Sequence, residues 1–321
     1  MNQTLNGSQT PASTPKTQEA DELGTAPLAL STLVMFVCVC GIAGNSMVLW
    51  LLSFRVQRAP FCVYILHLAV ADLLFLLCMA SMLSLEIASL AKRCWKAYEV
   101  AQRAKYFAYT ASLSLLTAIS AHRCLSILFP IWYKCHRPQH LSAVVCALLW
   151  ALSLLMNTLA SFFCIKFWHP NEKQCFTVDS VFSCLILGIF APVMTLSSVI
   201  LFVRVQRSSR GRRRRPTRPY VVILASVLVF LLCALPLGIS WFLLSWMDVQ
   251  PQVELLYYRL SRLGSSVSSS ANPVIYFMVG SQRSRRGLRE PLGAVLRRAL
   301  REEPELEERE TPSSGTNEPG V

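Results

Sequence analysis

Apolar residues in this chain come in long blocks, separated by short polar intervals. A helix that crosses a bilayer core needs about 20 consecutive apolar residues. Seven blocks reach that length, at residues 28–54, 61–88, 101–129, 140–164, 176–205, 219–247 and 252–279. The third opens on polar residues (QRAKYFAYT) and the seventh is rich in serine (SSVSSS), so both are predicted to face the interior of a bundle. The pattern predicts an all-α membrane protein, a seven-transmembrane helix bundle. Residues 1–27 form a polar extracellular tail, 28–280 the bundle and 281–321 a cytoplasmic segment. Within that segment, 282–300 (QRSRRGLREPLGAVLRRAL) alternates basic and apolar residues at helical spacing. This predicts a short amphipathic helix on the inner leaflet, despite Pro291. The acidic run after Glu302 is predicted to be disordered.

Composition agrees with a membrane location. Only 15% of the 321 residues are charged and 53% are hydrophobic, against roughly 25% charged in a soluble protein. Mean hydropathy is +0.43. A net charge of +13 would suit nucleic acid in a soluble chain, but here it lies between the apolar blocks and reports topology. With the N-terminus outside, the inner loops hold Arg55 and Arg58, then Lys134 and Arg137, then Arg204, Arg207, Arg210, Arg212 to Arg215 and Arg218, with no Asp or Glu among them. The outer intervals mix signs. The basic runs would also attract anionic lipids of the inner leaflet, at about 1 kcal/mol per residue near the surface. The N-terminal tail lacks a basic start followed by an apolar core, so no cleaved signal peptide is expected. Its two sequons, Asn2-Gln3-Thr4 and Asn6-Gly7-Ser8, are predicted glycosylation sites.

Charges deep in a membrane span mark interior sites. Asp72, in LHLAVADLLFL, has no Lys or Arg near it in sequence, so its partners must come from other helices. Ser112, Ser268 and Asn272 are candidates, and together they would form an oxygen-rich cavity suited to a cation such as sodium. Gly44-Asn45, Pro192, Pro236 and Asn272-Pro273 interrupt the spans. A proline inside a span frees a carbonyl that a neighbouring helix must satisfy, and it makes a hinge. An enzyme would need clustered chemistry, whereas His67, His122, His136, His140 and His169 are scattered, and no cofactor or metal motif is evident. A transporter would often show an internal repeat; none is visible, and seven spans do not halve.

As an ordered set, GN in span 1, LAVAD in span 2, Arg123 at the inner end of span 3, Trp150, prolines in spans 5 and 6 and NPVIY in span 7 resemble the rhodopsin-like G-protein-coupled receptors. SAHRCLSILFPIWYKCHRPQHLSA, FLLCALP and SSSANPVIYFMVGS resemble the Mas-related family within them. The resemblance implies that Arg123 holds the inactive bundle and is then exposed to a G protein, with Pro236, Asn272, Pro273 and Tyr276 in the moving parts. The usual acidic residue before that arginine is His122 here, which predicts appreciable basal activity. Tyr98 stands where a disulfide cysteine is usual and Ala234 where a tryptophan is usual. The family commonly ties its outer surface by a bridge that would match Cys164 and Cys175.

The expected ligand pocket is the outer mouth between spans 3, 5, 6 and 7. Arg103, Tyr106, Phe107 and Thr110 share a helix face, Asp179 begins span 5 and Trp241 lies outward of Pro236. Arg103 offers a fork for a carboxylate and Asp179 a carboxylate for an ammonium, which fits a small zwitterionic amino acid. MNQTLN, YFAYTASLSLLTAIS, PVMTLSS and ALREEPELEE resemble one member of the family in particular, and that resemblance implies β-alanine as agonist. It also implies coupling to the Gq and Gi classes and expression in sensory neurons; tail Ser and Thr residues allow for arrestin. A basic-peptide or steroid-like ligand is the alternative within the family. Lys105 argues against amine-only ligands, and either supports the carboxylate or snorkels outward.

Overall fold

The computed structural model describes residues 16–54, 60–135, 138, 140–164, 172–211, 218–242, 250–281 and 291–300. The described residues form helices α1 (Lys16–Phe54), α2 (Pro60–Ile87), α3 (Trp95–Leu128), α4 (Pro130–Cys135), α5 (Leu141–Cys164), α6 (Glu172–Leu185), α7 (Ala191–Gly211), α8 (Arg218–Val229), α9 (Leu235–Phe242), α10 (Pro251–Ser281) and α11 (Leu292–Leu300). A π turn at Ile186–Phe190 joins α6 to α7, and another at Phe230–Ala234 joins α8 to α9. These two joined pairs are the fifth and sixth spans of the sequence pattern.

Each π turn ends two residues before a proline, Pro192 or Pro236. Proline has no N–H to give the carbonyl four residues back, and its ring crowds that carbonyl. A wider turn relieves the clash and keeps the helix continuous. Pro273 sits inside α10 without such a turn. The carbonyl it leaves without a donor is that of Ser269, and the Asn45 side chain of α1 donates to it at 3.0 Å. A second Asn45 bond reaches Gly41 O at 3.0 Å. Gly41 itself must lack a side chain, because a Cβ there would collide with Ser270 of α10.

Among the described residues six helical segments are long and apolar enough to cross a membrane: Leu28–Phe54, Phe61–Ile87, Trp95–Leu128, Leu141–Phe163, Phe176–Arg204 and Tyr220–Ile239. The seventh, α10, is 31 residues long, but its serines and charges keep it off that set. Its polar residues point inward: Ser261, Arg262, Ser265, Ser266, Ser268, Ser269 and Asn272 are all buried. The interior face of α3 is likewise polar in part, with Lys105, Ser112, Ser114, Thr117, Ser120 and Arg123 buried. Large apolar side chains such as Phe36, Trp50, Leu148, Leu155, Leu196 and Leu232 are exposed instead. Apolar outside with polar groups paired inside is the arrangement that lipid as solvent dictates.

Helices match the expected spans as far as the residues are described, with 243–247 of the sixth outside them, and several run longer. α1 begins at Lys16 instead of residue 28, and α3 begins at Trp95 instead of residue 101. Part of the expected extracellular tail is therefore helical. The amphipathic segment is helical only over Leu292–Leu300 among the described residues. Its Val295, Leu296, Ala299 and Leu300 are buried, and it packs on α10 and α8. The sequons at Asn2 and Asn6, the Arg212–Arg215 run and the acidic tail lie outside the described residues.

Candidate functional site

Three groups of polar side chains line the interior, one near each end and one between them. The middle one forms around Asp72. Ser112 Oγ donates to Asp72 Oδ1 at 2.9 Å, and Asn272 Nδ2 donates to Oδ2 at 2.7 Å. The Ser269 hydroxyl also bonds to Asp72. α2, α3 and α10 thus meet on one carboxylate that is 1% exposed. Ser268 is buried as well, but its neighbour Ser269 is the serine bonded to Asp72. Among the described residues no group of three His, Cys, Asp or Glu side chains converges as a metal site.

The second group surrounds Arg123, which is 3% exposed. Its guanidinium carbon lies 3.8 Å from the centroid of the Phe61 ring, at the start of α2. A planar cation over an aromatic face is attracted by about 0.5–2 kcal/mol, more when desolvated. His122 is buried between Tyr64, at 5.3 Å, and Tyr133 of α4, at 5.1 Å, centroid to centroid. Tyrosine rings therefore flank the residue that precedes Arg123. Tyr276 is 2% exposed and Pro273 is buried in α10. Pro236 adjoins the second π turn, whose Ala234 carbonyl accepts from the Tyr109 hydroxyl at 3.2 Å.

The third group lies at the opposite end of α2. Arg262 Nη1 donates to both carboxylate oxygens of Glu86, at 3.1 and 3.0 Å, and the Tyr98 hydroxyl donates to Glu86 Oε1 at 2.8 Å. This ties α2, α3 and α10 together, through the very tyrosine that stands where a disulfide cysteine was expected. Lys105 is fully buried, which excludes the outward snorkel. Its Nζ lies 4.2 Å from the Tyr106 centroid and 5.7 Å from that of Tyr258.

The four ligand candidates on α3 part company here. Arg103 is partly exposed; its Nη2 lies 4.0 Å from Glu99 Oε2, and its Nε is buried with no acceptor among the described residues. Tyr106 turns toward the Lys105 cluster. Phe107 packs on Trp150 of α5 at 5.4 Å, and that indole donates to His67 Nδ1 at 3.2 Å. Thr110 accepts from Asn157 Nδ2 of α5 at 2.8 Å and donates within α3. Asp179 falls in α6 and Trp241 in α9, with Cys164 closing α5 and Cys175 in the first turn of α6. The side chains of these four lie outside the described residues. The sequence reading missed Arg262, Ser269 and Phe61. The available signal for the first was an arginine, three residues after Arg259, at the edge of the serine-rich stretch of that span.

The family model of the seven-transmembrane receptors of the rhodopsin family matches residues 44–276. The chain therefore belongs to the G-protein-coupled receptors of that family, proteins that sit in the plasma membrane by several spans and act on G proteins. Within them it belongs to the Mas-related receptors, and along its full length it is similar to member D. It is 62% identical to "Mas-related G-protein coupled receptor member D" of Macaca fascicularis over 321 residues, covering 100% of both chains. It is 67% identical to the Rattus norvegicus protein of that name over 293 residues, covering 90% of this chain and 91% of the relative. The Homo sapiens member D is 62% identical over 321 residues, covering 100% of both. The chain is a receptor and not an enzyme.

Proposed function

We propose that this receptor senses a small zwitterionic amino acid of the β-alanine type at an extracellular pocket and signals through Gq- and Gi-class G proteins. The observation that carries the reading is Arg103. It is a half-buried guanidinium one helical turn from a single weakly placed carboxylate, with its Nε unmet. Such a group is ready for a ligand carboxylate, since charge-assisted, forked bonds are the strong ones. Asp179, on α6, supplies the opposite charge for the ammonium, and Tyr106 and Trp241 complete the walls. Phe107 and Thr110 support the pocket from behind, because both are already engaged by α5. The Cys164–Cys175 bridge, glycans on Asn2 and Asn6, an outside N-terminus, arrestin recruitment and action in sensory neurons belong to the same reading. So does a sodium ion at Asp72.

A ligand moves the bundle only as far as it binds the active state more tightly than the inactive one. Proline-adjacent hinges at Pro236 and Pro273 let the ends of α8 and α10 swing, and Arg123 leaves Phe61 for the G protein. The test is calcium and cAMP output in expressing cells, with and without millimolar β-alanine, beside Arg103→Ala and Asp179→Ala at equal surface expression. A parent response lost in both variants is expected. A response kept in both contradicts the clamp.

A further inference from the structure

The cluster between α2, α3 and α10 holds more positive charge than its own acid neutralises. Lys105 is 0% exposed, and its Nζ meets no hydrogen-bond acceptor among the described residues. Arg262 is 8% exposed; it gives Nη1 to Glu86, while its Nη2 is also buried with no acceptor among the described residues. The two cations share one neighbour: Lys105 Nζ lies 5.7 Å and Arg262 Cζ 5.6 Å from the centroid of the Tyr258 ring. They are close enough to act on each other electrostatically, and Glu86 is the carboxylate that acts on both. With Lys105 protonated, two cations and one carboxylate leave one positive charge among the described residues of the cluster. Two unmet N–H donor groups remain, one on each cation.

A buried ammonium without a counter-charge is strongly unfavourable, and the faces of Tyr106 and Tyr258 return only part of that cost. A donor left without an acceptor in low dielectric adds to it. One bound monovalent anion would resolve both deficits, neutralising the charge and accepting from Lys105 Nζ and Arg262 Nη2. We propose that Lys105 and Arg262 form a site for a compact monovalent anion, a halide or the carboxylate of a small acid. It would be walled by Tyr106 and Tyr258; Tyr106 is shared with the zwitterion pocket, whereas the charged pair Arg103 and Asp179 is not part of it. Binding there strengthens the junction of α2, α3 and α10. The site does not depend on the zwitterion reading, because neither Arg103 nor Asp179 is part of it.

An anion that binds the folded receptor and not the unfolded chain raises the unfolding midpoint in a saturable way. The full-length receptor in lipid nanodiscs is titrated with sodium chloride or sodium acetate against sodium gluconate at constant ionic strength. We expect chloride, acetate or both to raise the midpoint over gluconate, Lys105→Met to remove the rise and Arg103→Ala to keep it. A rise with chloride alone assigns the site to halide, and a rise with acetate alone assigns it to carboxylates. Lys105→Gln, which keeps a polar side chain and loses the charge, is expected to remove the rise as well and stands in if Lys105→Met does not fold. A parent receptor indifferent to both anions overturns the proposal, as does a rise undiminished in a folded Lys105→Met.

Discussion

Two buried arginines stand near opposite ends of the bundle, and both are held by α2. Their partners on that helix, Phe61 and Glu86, are 25 residues apart in sequence, which is roughly 37 Å of helix at 1.5 Å per residue. Arg262 is gripped by both oxygens of a carboxylate that a tyrosine also holds. Arg123 lies on the face of a ring. The first contact is directional and loses its partner's charge if broken. The second depends on the ring face and is worth about 2 kcal/mol when desolvated, less than the roughly 3–5 kcal/mol of breaking a buried ion pair. The difference lies in the kind of contact: the Glu86 end joins three helices through a forked ion pair and a tyrosine hydroxyl, whereas the contact α2 makes with Arg123 is an aromatic face.

The comparison breaks first at the anchor. Glu86→Ala leaves Arg262 buried without its carboxylate, a loss of roughly 2–4 kcal/mol after allowing for the partial exposure of Glu86. The unfolding midpoint of purified receptor should fall by several degrees, and Glu86→Ala with Arg262→Met together should recover much of it. If the single variant unfolds at the parent's temperature, the anchor is not one. At the other end, Phe61→Leu keeps an apolar side chain and removes the ring, releasing about 1 kcal/mol of restraint on Arg123. Basal second-messenger output should rise several-fold at equal expression, with little change in unfolding midpoint. Asn45→Ala acts on stability alone: it uncaps the Ser269 carbonyl freed by Pro273 and should cost roughly 1 kcal/mol in thermal unfolding. Tyr98→Phe removes one charge-assisted hydrogen bond, about 1 kcal/mol for a half-exposed pair; it should lower the midpoint by less than Glu86→Ala does.

Much of this was legible in the sequence, because lipid imposes a length and a polarity that a chain cannot disguise. Six spans announce themselves by apolar length, and α10 is readable from what its serines must avoid. Asp72 was legible for the same reason, since a lone carboxylate at depth must find donors, and Ser112 and Asn272 are two of them. Choosing between Ser268 and Ser269 was not, because one residue turns a helix by about 100° and the proline at 273 disturbs the phase. The Glu86–Arg262 pair spans 176 residues of sequence, and Glu86 sits where an interfacial charge needs no partner. The ring beneath Arg123 left no trace at all, since a cation on an aromatic face has no spacing rule. Its presence also changes the expectation for His122: the missing carboxylate does not leave Arg123 unrestrained.

The most direct test is basal second-messenger output plotted against surface expression, without ligand, for the parent, Phe61→Leu and His122→Glu. The ring-restraint account predicts a measurable slope in the parent, a steeper one in Phe61→Leu and a flatter one in His122→Glu, where a carboxylate returns beside Arg123. Equal slopes in the parent and Phe61→Leu, with both variants at the surface, would contradict it.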